Sequence, residues 1–151
     1  MTHDLPRIAL VVSRFNADIV DGLVLGARAV LEAEGVSLGE EDIVEAPGAF
    51  ELPLIAQTLA ASGRFDGIVC LGCVIKGDTA HFEYISQGVA AGLMTAGLST
   101  GRPISFGVLT TYDEDQALAR SREDVDNKGR EAAHACLQAW RTLRSIRSRA
   151  A

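Results

Sequence analysis

Lys76, Asp78, Thr79 and His81 stand almost side by side in the stretch Gly72-Cys-Val-Ile-Lys-Gly-Asp-Thr-Ala-His-Phe-Glu-Tyr84. An apolar run, residues 67–75, leads into the polar turn Lys76-Gly77-Asp78-Thr79, and a helical pattern starts at Ala80. The first amides of a helix have no intrahelical partner, and with the helix dipole they form an anion site best suited to phosphate. Gly77 lets the backbone approach a ligand closely. His81 falls in the first helical turn, an imidazole able to take up and return a proton. The chemistry implied is a held phosphate beside a proton carrier.

Other chemistries of this stretch compete poorly. Gly72-x-x-x-x-Gly77 has the glycine spacing of a nucleotide-binding loop, but that signature needs Lys before the Thr. Asp78 occupies the place, so a nucleoside triphosphatase is not expected. A simpler phosphate cradled by the amides of residues 77–80 remains, and an ordinary tight turn is the alternative. Cys70-x-x-Cys73 has the form of a redox or zinc pair. It lies in a strand, where positions three apart face opposite sides, so the thiols diverge. His81-x-Glu83 with two cysteines has elements of a zinc deaminase, but the order is reversed and the proline is missing.

The remaining chemically capable residues are scattered. His3 falls in the amino-terminal segment and His134 in the last helix, and both read as structural or solvated. Glu51 begins a helix, where a capping carboxylate is the plain reading. Phe15 directly follows a strand and offers a face for a planar ligand, with a hydrophobic plug as the rival. Arg120 and Lys128 flank the polar loop Ser121–Asp126, as a salt-bridged surface would have them. Arg141, Arg144, Arg147 and Arg149 make a basic tail that solvates the end of a helix.

The chain has 151 residues, 48% of them hydrophobic, and a net charge of -6. One domain over 1–151 with a full core is expected. The acidic balance excludes a general nucleic-acid binder. No run is long and apolar enough for a membrane span, and Met1-Thr-His-Asp does not open like a signal peptide. Three cysteines do not form a disulfide framework, so the cytoplasm is the expected compartment.

These residues need elements to position them. Arg7–Ser13, Asp42–Ala46, Phe65–Ile75 and Pro103–Thr110 read as strands. Helices are expected from Asp18, which can cap the first, to Gly35; from about Phe50 to Ser62; from Ala80 to Leu98; from Glu114 to about Arg120; and from Asn127 or Lys128 to Arg147. Glycines 88, 92 and 97 mark close packing of the third helix. Ala132, Ala133, Cys136, Leu137, Trp140 and Leu143 give the last helix one apolar face. Strict alternation of strand and helix implies an α/β sandwich around a parallel sheet with right-handed crossovers. Ligands of such sheets bind beyond the carboxyl ends of the strands. Those ends are Ser13-Arg-Phe-Asn16, Pro47-Gly-Ala-Phe-Glu51, 76–81 and Leu109-Thr-Thr111, and the polar and aromatic residues converge there.

Taken together, Ser13-Arg-Phe-Asn16, Pro47-Gly-Ala-Phe-Glu-Leu-Pro53, residues 72–84, Gly107-Val-Leu-Thr-Thr111 and Asn127-Lys-Gly129 resemble the lumazine synthase family of riboflavin biosynthesis. Five blocks in the family's order cover nearly the whole chain. The resemblance implies a flavodoxin-like three-layer α-β-α sandwich with a central parallel four-stranded sheet. It implies condensation of 5-amino-6-(D-ribitylamino)uracil with 3,4-dihydroxy-2-butanone 4-phosphate, without metal or organic cofactor. By motif, Phe15 would stack on the pyrimidine beside Asn16. Ala49, Phe50, Glu51, Cys73, Val74 and Ile75 would line the ring and ribityl site. Asp78 and Thr79 would hold the phosphate, and His81 would move protons. Phe106, Arg120 and Lys128 would come from the adjacent subunit, with Arg120 on the phosphate.

The resemblance also implies a homo-oligomer built of pentamers with active sites between subunits. One block departs from the family: shell-forming members carry a Gly-rich, Lys-containing loop where this chain has Ser121-Arg-Glu-Asp-Val-Asp126. A pentamer or pair of pentamers is therefore expected, with a sixty-subunit shell as the alternative assembly. The alternative functions are a non-catalytic flavin or lumazine binder, a shell-forming scaffold and a flavin electron carrier.

Overall fold

The computed structural model describes residues 5–150; His3 lies outside the described residues. The elements alternate as β1 (Ile8–Ser13), α1 (Ala17–Ala33), β2 (Ile43–Ala46), α2 (Leu52–Ala61), β3 (Gly67–Ile75), α3 (His81–Thr100), β4 (Ile104–Thr111), α4 (Glu114–Ala119) and α5 (Lys128–Ala150), with short 3₁₀ turns at Glu40–Asp42 and Ala49–Glu51. The strands form one parallel sheet in the order β2-β1-β3-β4. That is the flavodoxin-type order without its last strand. Among the described residues no helix is long and apolar enough to cross a membrane.

Helices cover both faces of the sheet, and strand side chains alternate between the two cores. Ile8, Leu10 and Val12 of β1 and Val69, Leu71 and Cys73 of β3 pack with α1 and α5. Ala9, Val11, Ile68 and Cys70 pack with α2 and α3. All six residues of β1 are buried, as a strand covered on both faces requires. Cys70 and Cys73 thus fall in separate cores, as their spacing predicts.

The boundaries differ from expectation where side chains or turns intervene. Asp18 does not cap α1; Asn16 takes that position in a left-handed conformation, φ 59°, and its side chain leaves the helix for another partner. Asparagine is among the few residues that adopt this conformation readily. The second helix starts at Leu52, because residues 49–51 form a tighter turn before Pro53. Glu51 makes no side-chain cap there. The third helix runs on to Thr100 before Gly101, φ 67°, ends it, and the last continues to Ala150. The arginine tail is engaged: Arg141 pairs with Glu34 at 2.9 Å, Arg147 donates to the Gly101 carbonyl at 2.7 Å, and Arg144 lies over Trp140.

Close packing explains several glycines. A Cβ at Gly92 would lie 2.8 Å from the Pro53 ring, so α2 sets that ring directly on the α3 backbone. Gly97 has ordinary clearance. The tightest crossing is between α1 and α5, where a Cβ at Gly129 would collide with the Leu23 backbone. Backbone cannot step aside as a flexible side chain can. Gly129→Ala is therefore expected to destabilise the fold by about 3 kcal/mol, the upper part of the range for overpacking. Urea unfolding monitored by circular dichroism measures this, and a midpoint like that of the unsubstituted chain would contradict the crossing.

Candidate active site

Because the strands are parallel, their carboxyl ends share one edge. Arg14 N donates to Ala46 O at 2.9 Å, joining the ends of β1 and β2. Asn16 Nδ2 donates to Cys73 O at 3.0 Å, joining the start of α1 to β3. Lys76 N donates to Thr111 O at 2.9 Å, joining β3 to β4. The loops after all four strands are thereby set on one rim.

The turn between β3 and α3 lies open on this rim, with residues 76–81 all exposed. A Cβ at Gly77 would meet nothing, and the residue has no positive φ. The fold does not require glycine there, so its missing side chain leaves room for something outside. Thr79 Oγ1 accepts from His81 N at 3.4 Å at the head of the 20-residue α3. His81 is the first residue of that helix. Behind the turn, Lys76 Nζ lies 5.7 Å from the centre of the Tyr112 ring, which also meets Phe82.

The predicted aromatic residues stand out from the same rim. Phe15 is 68% exposed and Phe50 59%. Glu51 is exposed, Asn16, Val74 and Ile75 are half-buried, and Ala49 is buried. Cys73 is 1% exposed, its side chain in the core below; what it offers the rim is its carbonyl, held by Asn16.

Phe106, Arg120 and Lys128 gather elsewhere. They line a concavity of about 970 Å³ between β4, the loop 120–128 and α5. Phe15, Phe50, Asp78 and His81 do not line it. Arg120 Nη1 donates to Gln116 O at 2.9 Å, and Lys128 Nζ pairs with Glu131 at 3.1 Å. Glu131, Arg130 and His134 face the same concavity. Sequence reasoning passed over Glu131, although its i,i+3 spacing from Lys128 was a readable signal. His134, read from the sequence as structural or solvated, is exposed and lies on the cavity wall. Among the described residues there is no cluster of three or more metal-ligating side chains.

All three cysteines are free and buried. Burial pushes the Cys73 thiol up to about 11, with the Asp18 and Glu114 carboxylates adding to the shift. It pushes Cys136 up to about 12, and Cys70 also upward. These thiols serve packing, not nucleophilic or redox chemistry.

Fold and rim define a class: a flavodoxin-like α/β protein with an open turn at the β3–α3 junction, a histidine at its helix head and a separate concavity that holds Arg120 and Lys128. The family model described as 6,7-dimethyl-8-ribityllumazine synthase matches residues 6–144. The chain is 63% identical over 145 residues to 6,7-dimethyl-8-ribityllumazine synthase 1 of Caulobacter vibrioides, covering 96% of this chain and 95% of that one. It is 45% identical to the 6,7-dimethyl-8-ribityllumazine synthase of Salinibacter ruber, over 87% of this chain and 85% of the relative. It is 44% identical to that of Deinococcus radiodurans, over 97% and 94%. The chain belongs to the lumazine synthase family.

The cysteine environment makes a direct prediction. At pH 8 the native protein should be silent to a thiol-specific chromogenic reagent, and unfolding in denaturant should release three reactive thiols. Prompt reaction of a native thiol would contradict the burial. The same shifts set a sign for alkaline stability. The folded thiols hold their protons above the ordinary value of 9.0, so their contribution is full below pH 9 and is lost as pH rises through about 11 to 12.

Proposed function

We infer that this chain is a transferase of riboflavin biosynthesis. It condenses 5-amino-6-(D-ribitylamino)uracil with 3,4-dihydroxy-2-butanone 4-phosphate to give 6,7-dimethyl-8-ribityllumazine, with release of phosphate and water. The observation that carries the reading is the open turn 76–81 with His81 at the helix head, in a chain of this family. The amine adds to the ketone and water leaves to give an imine. Phosphate is then eliminated and the ring closes. The phosphate would sit on the amides of residues 77–80, where the helix dipole favours a dianion, with Asp78 and Thr79 shaping the turn. Phe15 would stack on the pyrimidine. Asn16, Ala49, Phe50, Glu51, Cys73, Val74 and Ile75 would frame the ring and ribityl chain. His81 would move protons between the reacting amine and the departing groups, and orientation of the two substrates would supply most of the remainder.

The site would be completed by a second copy of the chain, bringing Phe106, Arg120 and Lys128. Two observations support this. These three side chains share a concavity that the rim residues do not line. In addition, α3 exposes Tyr84, Met94 and Leu98, and α2 exposes Leu54, an apolar surface suited to subunit packing. A closed ring in which each rim meets the next chain's concavity satisfies both, and a pentamer in the cytoplasm, one lumazine synthase domain per chain, is the assembly proposed.

Turnover of the two substrates, followed by lumazine absorbance, tests the activity. His81→Ala should lower kcat by roughly 10²–10⁴, the range for one proton-transfer residue, without abolishing turnover. Arg120→Ala should raise KM for the four-carbon phosphate. Refolding the two variants together, assayed at a phosphate-substrate concentration where each alone is slow, should restore about a quarter of the unsubstituted rate, since about a quarter of sites then join an intact His81 to a neighbour's intact Arg120. No recovery on mixing would place both residues in one chain's site.

A further inference from the structure

Arg120 and Lys128 stand at the two ends of an exposed loop, and something must hold those ends in register. We propose that Asn127 is the positioning residue for this pair, an inference that rests on the assignment of Arg120 and Lys128 to the substrate site. Asn127 is 1% exposed, between loop residues 122–126 that are all exposed and the half-buried Lys128. Its side-chain nitrogen, with two N–H donors to share, lies within hydrogen-bond distance of three carbonyls: Gly22 O of α1 at 3.1 Å, Ser121 O at 3.1 Å and Arg122 O at 2.9 Å. Its side-chain oxygen accepts from Arg130 N in the first turn of α5 at 3.1 Å. One carboxamide therefore ties the Arg120 end of the loop, the head of α5 that carries Lys128, and α1. The backbone closes the same ring, with Lys128 N donating to Arg120 O at 2.8 Å.

The helix opposite is shaped to receive it. A Cβ on Gly26 would collide with the Asn127 carboxamide, and one on Gly22 with the Ser121 carbonyl. Two positions one turn apart on α1, Gly22 and Gly26, are thus bare where the loop docks. A helix cap alone does not account for this arrangement. Ser, Thr and Asp cap as well as Asn does, but none of them also donates to a set of carbonyls. The donor half of the carboxamide faces only the loop and α1, and the residues it restrains are those next to Arg120. A displacement there of about 1 Å is enough to cost about a hundredfold in rate.

Asn127→Asp separates the two halves of this side chain. It keeps the acceptor that caps α5 and removes the donors that hold the loop. The expected result is a fall of about a hundredfold in kcat/KM for 3,4-dihydroxy-2-butanone 4-phosphate, carried largely by KM. In an Arg120→Ala background the same change should cost less than about threefold, because a residue acting through Arg120 is non-additive with it. Gly26→Ala, which displaces the carboxamide without altering it, should reproduce the pattern and is read where Asn127→Asp fails to assemble. Unaltered kinetics in a folded variant, or equal losses with and without Arg120, would overturn the proposal and leave Asn127 a cap. If Arg120→Ala itself leaves the phosphate KM unchanged, the assignment of Arg120 fails, and the role proposed for Asn127 falls with it.

Discussion

Parallel pairing of strands covered on both faces is the constraint on which everything else here depends. A parallel ladder needs a crossover between successive strands, and each crossover returns the chain to the same end of the sheet. The carboxyl ends of β1, β2, β3 and β4 must then share a rim. Burying both faces needs continuous apolar strands, which leaves no exposed polar side chain on the central strands β1 and β3. Ser13, Ser105 and Thr111 are the polar residues that lie in buried strand positions. Chemistry is therefore pushed into the connections. His81, Asp78, Phe15 and Phe50 are exposed because they stand just past the point where the core ends.

This geometry is why so much was legible in the sequence. The alternation of apolar runs and helical periods gave the layer order, and the strand ends gave the rim. The divergence of Cys70 and Cys73 followed from the two-residue period of a strand. What escaped was set by contacts distant in sequence. The start of α1 depends on Asn16 turning its amide to Cys73, 57 positions away, and no local pattern announces that bond. Asn127 reaches Gly22 across 105 positions. Its place in a recognisable Asn-Lys-Gly block was visible, but its work was not. The tight turn at 49–51 was missed for a simpler reason: helix-forming residues follow it directly, and the pattern runs on unbroken.

The two groups of candidate side chains differ in charge. The rim presents the uncharged amides and the dipole of the α3 head, together with the carboxylate of Asp78. The concavity carries the guanidinium of Arg120 and the ammonium of Lys128. In the free chain both cations rest on their own helices, Arg120 on the Gln116 carbonyl and Lys128 on Glu131. Those partners are weak for a surface cation, on the order of 1 kcal/mol or less, so the dianionic substrate of the proposed reaction would compete with them easily. Cations parked on replaceable partners stay oriented without being committed.

Helix α1 gives the two groups a common support. Its first cap, Asn16, is hydrogen-bonded to the end of β3, just before the turn 76–81. Its second and third turns, at Gly22 and Gly26, receive the Asn127 loop. One rigid element therefore references the rim at one end and the cationic concavity further along. In a ring of identical chains each subunit would give its rim to one neighbour and its concavity to the other. The relative placement of those two faces would then fix the geometry of every site, since any error in α1 repeats at each interface. Bare glycine turns and asparagine clamps suit that demand. They fix backbone to backbone through short, stiff groups, whereas long side chains would let the spacing drift.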